Sequence, residues 1–380
     1  MKEIIYLDNA ATTPVIKEIS EVVSRFNNEF YFNPSASYIQ GLEVTQQMAE
    51  ATDSMLASLG TDKYKAIFTA SATEANNLLL LGTLKRNTEV VISMGEHPSV
   101  YNVAKYLSEK GIKVHFVPLL ADGRADLDAL KEVLNDKTGI VSIMHVSNET
   151  GAINDIAKIT QIAKEANPKV IVHSDGVQAV GKLKVDLFSL GVDAYTISGH
   201  KICAPKGIGA LIIKSNIHIA PQVLGGGQQE GLRSGTENVS GTMALCKAVT
   251  IANNNLAQNV KHITELKKLF LAELSKSSTY KLNSDDLCVP HILSLSFDGL
   301  KGEVLLHMLE EEGILISTGS ACSSKRTENR TLKAMGASNT QMHGSVRISF
   351  GVQNTKEQVV YAADKLSKAV QKLAHTIRGK

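Results

Sequence analysis

The tetrapeptide Ser198-Gly199-His200-Lys201 stands between the apolar run AYTI and the glycine-bearing stretch KGIGALI. A lysine at the mouth of a sheet is costly unless it is solvated or chemically engaged. A partly desolvated or electrostatically tuned amine can form a Schiff base with an aldehyde cofactor, and pyridoxal phosphate is the commonest of these. That cofactor requires a carboxylate for its pyridinium nitrogen, small-residue backbone and hydroxyl donors for its phosphate, and a flat partner for its ring.

Residues of each kind are present. Asp175 follows VIVHS, an apolar strand able to hold it at the cofactor edge, although a helix cap or turn aspartate is the alternative. In TASATEAN, residues 69 to 76, Ala72 and Thr73 can cradle a phosphate at a helix N-terminus, or Thr73 with Asn76 or Asn77 can make an ordinary helix start. His97 can stack on a ring and exchange protons, or serve as a polar structural residue. Arg347 alternates with Val346 and Ile348 in GSVRISFG, which directs it either at a substrate carboxylate in a cleft or at a cross-strand ion pair. Cys322, in STGSACSSKR, lies among small residues rather than inside an apolar run such as those that hold Cys203 and Cys246, and reads as an exposed, mobile thiol. Periodicity alone does not select Lys201 for a covalent role, but Lys206 fits a solvated turn lysine better.

Such residues need a scaffold that brings them to one edge. From about residue 65 the chain repeats one step, an apolar run followed by a helical pattern: YKAIFTASATEANNLLLLGTL, then TEVVISMGEHPSVYNVAKYLSEKG. TGIVSIMHVSNETGAIN, PKVIVHSDGVQAVG, DAYTISGHK and GIGALII supply further apolar runs. Alternation of this kind predicts an α/β fold, a largely parallel sheet covered by helices. Glu96 and His97, His145 and Asn148, Asp175 and Gln178, and Ser198, His200 and Lys201 all fall at or just beyond the C-terminal ends of those runs, where open α/β sheets bind ligands. After about residue 250 the pattern changes: ITELKKLFLAELSKS, GEVLLHMLEEEGI and the long stretch from residue 355 read as helices, HILSLSFDG as a half-buried strand and GSVRISFG as a strand. The expected division is an N-terminal segment, 1–14, packed on the domains, a large cofactor-binding domain, 15–255, and a small α+β domain, 256–380, carrying the Cys322 loop.

With 380 residues, 43% of them hydrophobic, the chain can bury a core of two domains. Forty basic residues against 38 acidic ones leave a formal charge of +2, and no dense basic patch interleaved with aromatics marks a nucleic-acid groove. The N-terminus reaches Asp8 and Asn9 before any apolar targeting core could form, and no run approaches eighteen apolar residues. A cytoplasmic protein without a membrane partner is the expectation. Cys203, Cys246, Cys288 and Cys322 match neither a metal knuckle nor a disulfide framework, so free thiols and no intrinsic metal site are expected.

Taken in order, YLDNAATTP, ATEANN, SNETG, HSDGVQAVG, SGHKICAPKGIGAL, RSGTENV, STGSACSS and VRISFG resemble the NifS/IscS-type cysteine desulfurases of the class-V aminotransferase family, pyridoxal-phosphate enzymes of aminotransferase fold type I. The resemblance spans nearly the whole chain. It implies a Schiff base at Lys201, with Asp175 on the pyridinium nitrogen, Gln178 at the phenolic oxygen, and His97 stacked on the ring and moving protons. It further implies that Thr73, Ser198 and His200 hold the phosphate, and that Thr236 reaches the phosphate of the neighbouring subunit in a homodimer. Asn148 and Arg347 match binders of the substrate carboxylate, and Cys322 matches the catalytic cysteine. The implied reaction converts L-cysteine to L-alanine and leaves a persulfide on Cys322, from which sulfur passes to an acceptor protein.

The implied destination is iron–sulfur cluster assembly, with tRNA or thio-cofactor thiolation as the alternative; a selenocysteine lyase, an aminotransferase and a non-catalytic sulfur-pathway scaffold are more distant readings. A contact between Cys322 and an iron–sulfur centre would be transient, on a partner scaffold. The long stretch from Cys322 to Arg347 resembles the branch with an extended cysteine loop. Ser323-Ser324 replaces the common Thr-Ser, the loop continues as KRTENRTLKAMG instead of the usual Glu-Pro-Ser-rich pattern, and Cys203-Ala204 replaces the common Tyr-Gly.

Overall fold

The computed structural model describes residues 4–84, 87–284, 287–318 and 329–378, so Cys322 lies outside the described residues. In chain order the strands are β1 (Ile5–Tyr6), β2 (Tyr64–Thr69), β3 (Glu89–Ser93), β4 (Val114–Val117), β5 (Thr138–Ser142), β6 (Ile171–Asp175), β7 (Ala194–Ser198), β8 (Gly209–Lys214), β9 (Lys281–Leu282), β10 (Ile292–Ser296), β11 (Ile314–Leu315) and β12 (Ser345–Ser349). β2 to β8 form a seven-stranded sheet in the order β2-β8-β7-β6-β5-β3-β4. β4, β3, β5, β6 and β7 run parallel, while β8 runs antiparallel to both β7 and β2.

β3, β5, β6 and β7 are short and largely buried on both faces, as crossover helices require, whereas β4 at the sheet edge is half-buried. In β3 the side chains alternate: Val91 enters the main core with Val141, Val172 and Ile143, whereas Val90 and Ile92 pack on the opposite face against Val100, Val103 and Leu107 of helix Pro98–Glu109. Parallel registry gathers the C-terminal ends of β3, β5, β6 and β7 at one edge. The antiparallel β8 begins at that same edge, with Gly209 paired to Ser198 on one side and Thr69 on the other.

The smaller unit is a three-stranded sheet, β12-β10-β9, covered by helices Leu256–Leu274 and Lys356–Arg378. Leu293 and Leu295 of β10 join Leu266, Phe270 and Leu366 in its core. The alternation in HILSLSFDG predicts a half-buried strand, yet all five residues of β10 are buried. The polar face is covered because Asn283 donates to Ser294 Oγ and Ser296 Oγ, and Ser294 N–H donates to Ser284 Oγ. Hydrogen bonding thus replaces solvent on that face.

The first residues tie the two units together. β1 pairs in parallel with β11, Asn9 N–H donates to Ser349 O, and Thr13 N–H donates to His200 O beside Lys201. Among the described residues no helix is long and apolar enough to cross a membrane.

Gly209 shows how closely the binding edge is packed. A Cβ there would lie 2.7 Å from Ser71 C and 2.8 Å from Ala72 N, both backbone atoms at the start of helix Ala72–Gly82. Gly209→Ala is expected to force the helix start away from the sheet and to destabilise the fold by about 1–3 kcal/mol. A urea unfolding midpoint equal to that of the parent protein would contradict this close approach.

Candidate active site

The ends of β3, β5, β6 and β7 enclose one cavity of about 270 Å³. Ala72, Thr73, His97, Asn148, Asp175, Gln178, Ser198, His200, Lys201 and Arg347 all line it, together with Ser99 and the N-terminal Ala10 and Ala11. Of the residues expected from the sequence, Thr236 stands apart in this chain, in a separate cavity of about 230 Å³ with Gly207 and Arg233. Cys322, as noted, lies outside the described residues.

Asp175 ends β6 and is only 6% exposed. A buried carboxylate requires donors, and it has two: Val177 N–H at 3.1 Å on Oδ1 and Asn76 Nδ2 at 2.8 Å on Oδ2. Helix Ala72–Gly82 is capped by Ser71, whose side chain accepts from Glu74 N–H, and not by Thr73. Ala72 and Thr73 therefore occupy the first helical turn, where backbone N–H groups have no intrahelical acceptor.

Lys201 follows β7 in a short 3-10 turn, Gly199–Lys201. Its Nζ donates to Ala10 O and Ala11 O, each at 2.6 Å. Gln178 donates to the same Ala10 O at 2.9 Å, and its Oε1 meets His291 Nε2 at 3.3 Å. His200 Nδ1 meets Thr12 Oγ1 at 3.2 Å, and burial, with Lys201 and Lys206 nearby, lowers its pKa to about 4. The N-terminal strap is thus a wall of the cavity. To Lys201 and Gln178 it offers main-chain carbonyls, which leave no side-chain signature in a sequence.

His97 caps helix Pro98–Glu109; its Nδ1 accepts from Ser99 N–H at 3.2 Å and meets Ser99 Oγ at 2.8 Å. Burial lowers its pKa, opposed by Asp175 and reinforced by Lys201 and Arg330. The preceding Glu96 is wholly buried, accepts from Ser93 Oγ and Met144 N–H, and is pushed up to about 8 by burial. Arg330, which carried no sequence signal, closes this corner: it donates to Met94 O at 2.5 Å and to Glu96 O, and stands 3.7 Å over the Tyr101 ring. His145 does not line the cavity; it is bonded to Tyr195 OH at 2.7 Å.

Arg347 projects from β12 into the cavity and is 5% exposed. Nη1 donates to Asn148 O at 2.9 Å, and Nη2 pairs with Asp8 Oδ1 at 2.8 Å. The partner belongs to the strap, which bridges in parallel to Ser349 of β12, so Arg347 makes the cross-strand ion pair and also lines the cavity. Nε is buried and has no hydrogen-bond partner among the described residues. Of the other thiols, Cys246 is buried and raised to about 12, whereas Cys203 is partly exposed in the turn after Lys201 with φ of +63°.

These residues fit pyridoxal phosphate by the chemistry of their donors. A buried carboxylate suits a pyridinium, a helix N-terminus with adjacent hydroxyls suits a phosphate, an imidazole suits an aromatic ring, and a primary amine suits an aldehyde.

Thr13 holds the strap against the lysine turn by accepting from Cys203 N–H at 2.8 Å and donating to His200 O at 3.0 Å. Thr13→Val is expected to lose both bonds and to cost about 1–3 kcal/mol. Thermal unfolding at the parent temperature would show that the strap is held elsewhere.

The aminotransferase class-V family profile matches residues 5–361. A cysteine desulfurase IscS of Dictyoglomus turgidum is 36% identical over 98% of this chain and 96% of its own length. The cysteine desulfurase IscS 1 of Archaeoglobus fulgidus is 33% identical over 97% of each chain. A solved NifS-like protein superposes with a TM-score of 0.91 at 33% identity, covering 98% of this chain and all of that one. With a family match over nearly its whole length and relatives that align end to end, the chain belongs to the class-V aminotransferase family, as a NifS/IscS-type cysteine desulfurase of fold type I.

Proposed function

We propose that this pyridoxal-phosphate-dependent enzyme takes sulfur from L-cysteine as a persulfide on Cys322 and delivers it to an acceptor protein for iron–sulfur cluster assembly. The observation that carries the reading is the single cavity in which Lys201, Asp175, His97 and Arg347 meet. The IscS names of the relatives support the destination.

Pyridoxal phosphate, when bound, supplies the electron sink for bond cleavage at the substrate α-carbon. Asp175 would face its pyridinium nitrogen, Gln178 its phenolic oxygen, and Ala72, Thr73, Ser198 and His200 its phosphate. Lys201 carries the amine that would hold the cofactor covalently, and its Nζ would take the α-proton. That amine leaves the carbonyls of Ala10 and Ala11 to do so. Arg347 and Asn148, which both line the cavity, would orient the substrate carboxylate. His97 would sit on the ring face and govern proton placement near the substrate thiol.

Cys322 thiolate then attacks the substrate sulfur. A sulfur–sulfur bond forms as the carbon–sulfur bond breaks, its electron pair stays with the carbon fragment, and protonation yields L-alanine. Ser317, which lines the cavity and exchanges backbone hydrogen bonds with Arg347, is followed five residues later by Cys322. Five extended residues span up to about 17 Å, enough for the thiol to reach the cavity. Thr236, lining its own cavity, would complete the phosphate site of a second copy in a homodimer.

L-Alanine release from L-cysteine is the test. Turnover is expected for the cofactor-loaded protein and no persulfide for Cys322→Ala, which keeps its cofactor; a persulfide mapped to Cys203 or Cys246 would overturn the assignment. Lys201→Ala is expected to lose the near-visible absorption of the covalently held cofactor, and an unchanged spectrum would exclude Lys201. Arg347→Lys, which removes the planar fork and its Nε donor, is expected to raise KM for L-cysteine by about 10-fold or more with a smaller effect on kcat. An unaltered KM would place the carboxylate elsewhere.

A further inference from the structure

We propose that Asn76 and Ser99 are positioning residues that fix the tautomer of His97 and link it to Asp175, so that His97 meets the substrate as an Nε2–H hydrogen-bond donor. The inference rests on reading this cavity as the desulfurase site and adds two residues to it.

The direction of each bond follows from what its partners can do. A carboxylate only accepts, so the amide nitrogen of Asn76 must face Asp175 Oδ2, at 2.8 Å. The second amide hydrogen goes to Ser99 Oγ, also at 2.8 Å. With that lone pair engaged, the Ser99 hydroxyl proton is free to point at His97 Nδ1, 2.8 Å away. The backbone N–H of Ser99, a donor that cannot reverse, converges on the same nitrogen at 3.2 Å. A ring nitrogen accepting two hydrogen bonds carries no proton, so the pattern assigns the proton of the neutral imidazole to Nε2.

Asn76 is fully buried and its Oδ1 has no partner among the described residues. An unsatisfied carbonyl in a helix otherwise lined by Ala75, Leu78 and Leu79 is a standing cost. A leucine would fill that position more cheaply if packing were its only task.

The charges around the ring act in concert with the relay. Lys201, from the turn after β7, and Arg330, stacked on Tyr101, both disfavour imidazolium, as burial does; Asp175, from β6, opposes them. His200 faces His97 from beside Lys201, and its own burial keeps it neutral at pH 7. Glu96, next in the chain, is raised to about 8 by its own burial and contributes little negative charge. Protonating His97 would require a proton on Nδ1 pointed at the Ser99 N–H. The relay therefore withholds Nδ1 as a base, and the ring offers Nε2–H to groups in the cavity.

The test uses the full-length, cofactor-loaded protein labelled with 15N-histidine, with the His97 signals identified by their loss in His97→Gln. At pH 7 and without substrate, a protonated Nε2 and an unprotonated Nδ1 are expected. Ser99→Ala removes a donor that favours the unprotonated Nδ1. It is expected to raise the His97 pKa by about half to one unit and to move the acid limb of kcat/KM for L-cysteine upward by the same amount; Ser99→Thr, which keeps the hydroxyl, is expected to restore both. Asn76→Ala, a second variant should Ser99→Ala not fold, is expected to give a mixture of the two neutral tautomers.

A proton on Nδ1 in the parent protein would overturn the proposal. So would variants that lower Tm yet leave tautomer, pKa and acid limb unmoved, the outcome for residues with a structural role alone. The ring signals need no turnover, so a protein that leaves L-cysteine intact would defeat the desulfurase reading while the relay is judged separately.

Discussion

Asp175 is the buried charge around which the ligand edge of the large sheet is organised. A carboxylate removed from water is tolerated when donors converge on it, and here they come from the chain just beyond β6 and from a helix packed across the sheet. That requirement explains why a helix whose neighbouring positions are alanine and leucine carries Asn76 at a fully buried site. The same amide reaches Ser99, so one anion sets the relative placement of β6, helix Ala72–Gly82 and helix Pro98–Glu109. Gly209 then allows β8 to come close enough to Ser71 and Ala72 for the helix start to face Ser198 across the sheet edge.

The second constraint is the joining of two separately built cores. The large sheet and the small sheet have their own apolar clusters, and the cavity lies where residues from both approach. The N-terminal strap crosses this boundary. It adds β1 beside β11, binds β12 through Asn9, holds the lysine turn through Thr13, and supplies Asp8 to Arg347. Two cationic side chains, Lys201 and Arg347, are therefore held by a segment of only a few residues, one by its carbonyls and the other by its carboxylate.

Much of the architecture could be read from periodicity, because the apolar runs of β3, β5, β6 and β7 are short and each is followed by a helical pattern or a polar turn. That reading also placed His97, Asp175, Ser198 and Lys201 at one edge, since parallel strands bring their C-terminal ends together. Pattern alone did not reveal the antiparallel direction of β8, which depends on pairing partners rather than on composition. Nor did it show the buried polar face of β10, because Ser294 and Ser296 have the alternation of a solvated strand until Asn283 and Ser284 cover them. The carbonyls of Ala10 and Ala11 and the Asn76–Ser99 bond were invisible for a similar reason: main-chain acceptors carry no residue signature, and a bond between two polar residues on separate helices follows from packing alone.

The strap also determines when the cavity can close during synthesis. It leaves the ribosome well before its strand partners, Ile314 and Leu315 in β11 and Ser349 at the end of β12. At translation rates of about 5–20 residues per second, the strap waits roughly a quarter of a minute to a minute for those partners. During that interval the large sheet can assemble around its own core, but Arg347 has not been made and the strap lacks the strands that hold it in place. A nascent chain therefore has a partly walled pocket until β11 and β12 have been made.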